Sequence, residues 1–261
     1  MTGRVRTEIQ GAIGWLIFDN EPRHNALALE MWQAIPDLVL ELESHPAVRA
    51  VVLKGAGDRA FVSGADISEF DTVRATPDGT KAYEDATERA YTSIRECTHP
   101  TLAAIRGICM GGGLGIALAC DLRYARNDAR FAIPAAKLGV GYGFAPTRDL
   151  VVAVGAAHAR EILYTARVYN AHEAERIGLI NRVYDRGQLS PAVHDFCDRV
   201  SANAPLTQRT AKRAVAEAMA VSGQARIGLI EDMVAQCFSS EDYVEGRRAF
   251  MEKRAPNFKG Q

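Results

Sequence analysis

The chain has no run of about 18 consecutive apolar residues, the length a helix needs to cross a bilayer. The nearest approach, Ile108–Cys120, carries four glycines. Neither sign of charge is in excess: 31 Lys+Arg against 32 Asp+Glu leave a formal net charge of −1. No global basic field therefore draws the protein to nucleic acid or to an anionic membrane. The five cysteines (Cys97, Cys109, Cys120, Cys197, Cys237) are odd in number and contain no C-x-x-C. They read as reduced core thiols of a cytoplasmic protein, not as a disulfide frame. The six histidines form no H-E-x-x-H and no Cys/His metal spacing, so no metal site is expected. No G-x-S-x-G nucleophile elbow occurs, and neither a clean repeat nor a low-complexity tract is visible. The first residues lead into alternating strand-like sequence, not an apolar signal core. What remains is a soluble enzyme or small-molecule binding protein. Its 261 residues, 48% hydrophobic, suffice for a real core in one large or two small domains.

Alternation and a glycine break predict a hairpin from Val5–Gln10 and Ile13–Phe18. A helix follows over Leu29–Leu42, with Pro36 expected to kink it or delay its start. Val51, Val52 and Leu53 in succession read as a strand buried on both faces. The polar stretch Thr76-Pro77-Asp78-Gly79 reads as a mobile loop, followed by a helix over Lys81–Cys97. Thr101–Ile105 is a short apolar strand, a helix opens at Met110-Gly111-Gly112-Gly113, and Arg123–Ala125 and Arg130–Ile133 are short strands. Beyond Asp149 strand signals nearly vanish. Helical patterns cover Ala157–Thr165, Ala171–Ile177, Pro191–Ala202, Thr207–Ala220, Gln224–Phe238 and Asp242–Arg254, with Asn170 and Ser240 as N-caps. The class is α/β for about 150 residues and helical thereafter.

Two glycine turns carry the chemical signal. Gly111–Gly113 sits between a buried strand and an apolar helix, where N–H groups have no intrahelical acceptor and no Cβ bars a ligand. Such a turn can donate to an anion or a developing oxyanion, and it also suits a closely packed strand–helix corner. Ile116 stands where a dinucleotide G-x-G-x-x-G needs glycine. The second turn, Ser63-Gly64-Ala65-Asp66-Ile67, offers the Ala65 N–H, with Asp66 either an acid or a helix cap. Gly139-Val140-Gly141-Tyr142-Gly143 has no strand before it and does not read as a phosphate loop. Lys212-Arg213 and Arg247-Arg248 read as helix-surface charges.

Taken together, these pieces resemble the crotonase (enoyl-CoA hydratase/isomerase) superfamily, nearly end to end. Asn20-Glu21-Pro22-Arg23-His24-Asn25-Ala26-Leu27 resembles its N-x-P-x-x-x-N-A-L segment, and Ser63–Ile67 its A-G-A-D-I/L turn. His99–Gly107, Gly111–Gly113 and Cys120-Asp121-Leu122 resemble K-P-x-I-A-A-V-x-G…G-G-G…C-D-I/L. Ala171–Asn181 matches the A-x-E-A-x-x-x-G-L-V-N helix, and Phe250–Lys259 the E-K-R-x-x-x-F tail. The resemblance implies a core of ββα turns wound into a right-handed spiral (residues 1–200) and a C-terminal helical trimerisation region (201–261). It also implies an acyl-CoA thioester ligand, no cofactor beyond its CoA moiety, and a homotrimer or dimer of trimers. Carried over residue by residue, the N–H groups of Ala65 and Gly112 form an oxyanion hole. Arg23 and Ala26 lie along the CoA nucleotide, Ala65, Asp66 and Ile67 near the pantetheine, and Phe250 and Lys253 complete the CoA site, from the same or a neighbouring subunit.

The sequence departs from the family at the two positions where its hydratases carry glutamate. Two residues after the glycine triplet stands Gly115, and after Phe131-Ala132-Ile133-Pro134 stands Ala135. No acid stands near Gly143, where an isomerase would keep one. Leu138-Gly139-Val140-Gly141-Tyr142 resembles the L-G-V-P-Y segment of methylmalonyl-CoA decarboxylase, so Tyr142 is either a catalytic hydroxyl or acyl-pocket lining. The expectation is an acyl-CoA enzyme that stabilises a thioester enolate without the usual glutamates. The alternatives are a decarboxylase of malonyl-type thioesters and a CoA-ester binding protein without turnover.

Overall fold

The structure is a computed structural model that describes residues 3–219 and 225–261. It opens with the expected hairpin, β1 (Arg4–Gln10) antiparallel to β2 (Ile13–Asp19). α1 (Leu29–Ser44) follows, and Pro36 lies inside it without delaying its start. Met31, Trp32, Ile35, Val39 and Leu42 bury one face of that helix. That burial outweighs the one hydrogen bond the proline removes.

Three strand pairs then alternate with helices. β3 (Ala50–Gly55) and β4 (Ala60–Val62) precede α2 (Phe70–Val73) and α3 (Pro77–Glu96); β5 (Thr101–Ile105) and β6 (Ile108–Met110) precede α4 (Gly112–Ala119). β7 (Leu122–Arg126) and β8 (Arg130–Ala132) precede α5 (Ala135–Leu138) and α6 (Phe144–Thr165). The first strand of each pair joins a six-stranded sheet, ordered β1-β2-β3-β5-β7 and closed by the later β10 (Arg182–Tyr184); the second joins a four-stranded sheet, β4-β6-β8, with β9 (Tyr169–Asn170) at its edge. Pairing is parallel from β2 to β10 and from β4 to β8. This is the ββα repeat that the resemblance implies.

The larger sheet is buried on both faces, as the run Val51-Val52-Leu53 predicts. Val51, Leu53, Ala103 and Ile105 face a core built with α1, α3 and α4. Val52, Leu102 and Ala104 face a second cluster with Ile13, Trp15, Ile17 and the inner side of α8 (Leu189–Ser201). α7 (Ala171–Arg176) bears the Asn170 cap as a full capping box with Glu173. The chain continues through α9 (Pro205–Ala218), α10 (Ile227–Ser239) and α11 (Glu241–Glu252), the last capped by Ser240. Lys212 is less of a surface charge than expected: its Nζ lies 2.9 Å from Asp121 and 3.0 Å from the His99 carbonyl, tying α9 to the sheet. The predicted ends Ala220 and Gln224 lie outside the described residues.

Three expectations are corrected. Thr76–Gly79 is not a loop but the start of α3, with the Thr76 hydroxyl accepting from the Gly79 N–H at 3.1 Å and Pro77 in the first turn, where a proline loses nothing. α6 begins at Phe144, well before Ala157, and Gly155, at φ +73°, interrupts it. β9 and β10 are strands beyond Asp149, too short for alternation to register. Among the described residues, no helix is long and apolar enough to cross a membrane.

Candidate functional site

A cavity of about 500 Å³ opens between α3, the two glycine turns and the loop after α5. The first turn follows β4. Asn25, at φ +57°, organises it from a distance: its side chain donates to the carbonyls of Ala56 and Ala60 and accepts from the Asn20 N–H. The Ser63 N–H donates to His24 O, Leu27 N–H to Gly64 O, and Asp66 N–H to Leu27 O. Gly64 takes φ +121°, which only glycine adopts without strain. Ala65 thus forms a bridge to Leu27 with its own N–H on the opposite side.

The second turn joins β6 to α4. Gly111, at φ +51°, donates to Ala132 O and leaves Gly112 as the first residue of the helix. The two turns touch. A Cβ on Gly64 would stand 3.3 Å from Met110 O and 3.9 Å from Gly112 N, and one on Gly111 would stand 3.9 Å from the Gly64 Cα. Ala65 and Gly112 both line the cavity, and neither N–H meets an acceptor among the described residues. The glycines also satisfy close packing. A Cβ on Gly113 would stand 2.2 Å from Val62 O, on Gly112 2.9 Å from the Trp32 ring, and on Gly115 2.7 Å from the Tyr91 hydroxyl.

Asp66 is a cap and an ion-pair partner. Its carboxylate accepts from the Ser68 N–H at 3.1 Å and from Arg23 at 2.5 and 2.7 Å, fastening the Glu21–Arg23 turn to the first glycine turn. Burial opposes its ionisation, but the hydrogen bonds from Ser68 and Arg23 outweigh that and hold the carboxyl below its usual range. Ile67 lines the cavity. The Ala26 side chain is buried, its carbonyl accepting from Asn20 Nδ2 at 2.8 Å. Neither Arg23 nor Ala26 lines the cavity. Phe250 and Lys253 lie at the end of α11, with Phe250 83% exposed, and do not line it either.

Tyr142 does reach the cavity, in the glycine-rich stretch that follows α5. Its hydroxyl is buried without a hydrogen-bond partner among the described residues. Burial, then nearby Cys109 and Asp149, pushes its pKa up, so it stays protonated. Asp149 is not a free base: Arg95 takes one of its oxygens at 2.7 Å and Arg148 the other at 2.9 Å. Sequence reasoning missed the α3 wall. Tyr83, Thr87 and Tyr91 recur at i, i+4 and i+8 and all line the cavity, with Glu84 and Glu88 on the same side. Burial pushes Tyr83 up to about 12 and Tyr91 well above its ordinary value. Ala135 lines the cavity; Gly115 does not, because Tyr91 covers it. Among the described residues, no three His, Cys, Asp or Glu side chains gather as metal ligands would.

A family model described as enoyl-CoA hydratase/isomerase matches residues 8–261. The chain is 34% identical over 244 residues to a crotonyl-CoA hydratase of Syntrophomonas wolfei, covering 93% of each protein. It is 32% identical over 250 residues to a short-chain-enoyl-CoA hydratase of Clostridium acetobutylicum, covering 96% of this chain and 95% of that one. The structure superposes on an enoyl-CoA hydratase/carnithine racemase of Magnetospirillum magneticum with a TM-score of 0.94 and 33% identity, covering 100% of this chain and 97% of that one.

Proposed function

The chain belongs to the enoyl-CoA hydratase/isomerase family, and from that premise we propose that its cavity takes an acyl-CoA thioester whose carbonyl oxygen accepts from the N–H groups of Ala65 and Gly112. Enolisation moves negative charge onto that oxygen. Two fixed donors bind the charged form more strongly than the neutral ester, which lowers the barrier. The observation that carries the reading is the contact of the two glycine turns at the wall of one cavity, each with an N–H that has no acceptor among the described residues.

The reaction proceeds without the two glutamates of the family's hydratases, since Gly115 and Ala135 can neither take a proton nor orient water. Arg23 and Ala26 lie toward the CoA nucleotide, and Asp66 and Ile67 toward the pantetheine. Phe250 and Lys253 contribute from α11 of a neighbouring subunit in a homotrimer or dimer of trimers, residues 201–261 serving as the helical assembly region. The exposure of Phe250, Met251, Phe238 and Ile227 along α10 and α11 supports that assembly.

A second reading, decarboxylation of a malonyl-type thioester, is favoured by Tyr142 in the cavity wall, whose buried hydroxyl has no partner among the described residues. Loss of CO2 leaves the same enolate and requires no carboxylate base. Calorimetry with acetoacetyl-CoA tests the site, and absence of saturable uptake refutes it. Release of CO2 from malonyl-CoA and methylmalonyl-CoA, reduced in Tyr142→Phe, would select the decarboxylase. Uptake with no CO2 from either thioester, and no turnover of crotonyl-CoA, would leave a binding protein.

A further inference from the structure

Position 115 is empty of side chain, but the space beside it is not empty. A Cβ built on Gly115 would stand 2.7 Å from the Tyr91 hydroxyl oxygen, 2.9 Å from its Cζ and 3.0 Å from its Cε1. A Cβ on Gly112 would stand 3.5 Å from the same oxygen. The phenol therefore lies across the first turns of α4, and Tyr91 lines the cavity where Gly115 does not. Trp32 fixes the ring edge-on, with centroids 5.5 Å apart and planes at 77°.

We propose that the Tyr91 hydroxyl is a catalytic hydrogen-bond donor to the acyl group, facing the end that carries the α- and β-carbons, in the space that a side chain at position 115 would otherwise claim. The proposal rests on the thioester site described above. Among the described residues the Tyr91 hydroxyl makes one hydrogen bond, to the Gly112 carbonyl at 3.4 Å. That is long for an O–H···O bond, so the proton is available to a better acceptor. Burial keeps the phenol protonated, and the groups that face it act in the same direction: Tyr83 and Glu88 from α3, Tyr142 from the stretch after α5, and Asp149 from α6. Glu88 is exposed, and Asp149 is held by Arg95 and Arg148. The hydroxyl thus donates and does not abstract, which suits stabilisation of an enolate and not removal of its α-proton.

Acetoacetyl-CoA tests this, because its 3-oxo group falls at that end and its enolate has its own ultraviolet band. A donor there favours the bound enolate over the bound keto form and lowers the apparent pKa of the bound ligand. Tyr91→Phe should raise that value by about one unit or more, roughly tenfold in the ionisation constant, while affinity for butyryl-CoA holds. Gly115→Ala, which crowds the hydroxyl aside without removing it, should shift the value in the same direction, and it serves if Tyr91→Phe does not fold. A purely packing role for Tyr91 predicts no shift in either variant, and that result overturns the proposal while leaving the thioester site standing. Failure of the unaltered protein to bind acetoacetyl-CoA overturns both.

Discussion

Replacing Gly112 by proline removes the one atom on which the site reading most depends, the amide hydrogen. The position tolerates the backbone change. Gly112 is the first residue of α4, where proline's fixed φ is suited to the helix and its missing N–H breaks no helical bond. The side chain is another matter: a Cβ there would stand 2.9 and 3.1 Å from Cζ2 and Cη2 of Trp32. A rigid, buried ring cannot yield cheaply, and overpacking of this kind destabilises by about 1–3 kcal/mol. Gly112→Ala carries the same Cβ and keeps the N–H, so the difference between the two variants isolates the donor. A hydrogen bond to a charged acceptor is worth about 1.5–3 kcal/mol. Calorimetry should therefore find the acetoacetyl-CoA enolate bound roughly 10- to 150-fold more weakly by Gly112→Pro than by Gly112→Ala. An S-butyl-CoA thioether, which has no carbonyl oxygen, controls for the proline ring itself and should bind both variants alike. If proline and alanine weaken the ester equally, the Gly112 N–H does not touch the thioester oxygen and the reasoning fails.

Two further outcomes follow from charge and exposure. Asp66 has its pKa held below the ordinary 3.8, so it contributes stability that is fully present above that value and lost as pH falls through the lower, folded one. The gap in urea midpoint between the native protein and Asp66→Asn should accordingly shrink below about pH 4, and a gap constant with pH would refute the ion-pair account. On α11, Phe250→Asp should lower the sedimenting mass and weaken acyl-CoA binding together if a neighbouring subunit completes the site; an unchanged mass would remove the subunit-bridging role.

Much of this was legible in the sequence, and the reason is local chemistry. Gly64 and Gly111 are called for by positive φ, Asn170 and Ser240 by their caps, and Val51–Leu53 by burial on both faces. Each requirement is met within a few residues of chain, so composition and order suffice to find it. Thr76 was misread although its cap is equally local, because Thr-Pro-Asp-Gly suits a turn as well as the start of a helix. The glycines around Tyr142 hid the beginning of α6 in the same way. Tyr91 was out of reach for a different reason. Its spacing with Tyr83 and Thr87 marks a helix face, but what that face meets is set by the packing of α3 against α4.

That packing couples position 115 to position 91. α4 approaches its neighbours so closely that Gly112, Gly113 and Gly115 are each opposed by a different group: the Trp32 ring, the Val62 carbonyl and the Tyr91 hydroxyl. A carboxylate at 115 would need Tyr91 to leave, and a smaller residue at 91 would open a void beneath the second glycine turn unless position 115 grew to fill it. The exchange also changes the kind of chemistry available. A glutamate is ionised at neutral pH and can take a proton, whereas a phenol raised by burial keeps its own. Tyr142 and Tyr83 are held protonated in the same wall, so these phenols donate and do not abstract, beside Glu84 and Glu88 on α3. Donors stabilise an enolate however it forms, so under the proposed thioester reading the phenols alone would serve loss of CO2, which needs no base.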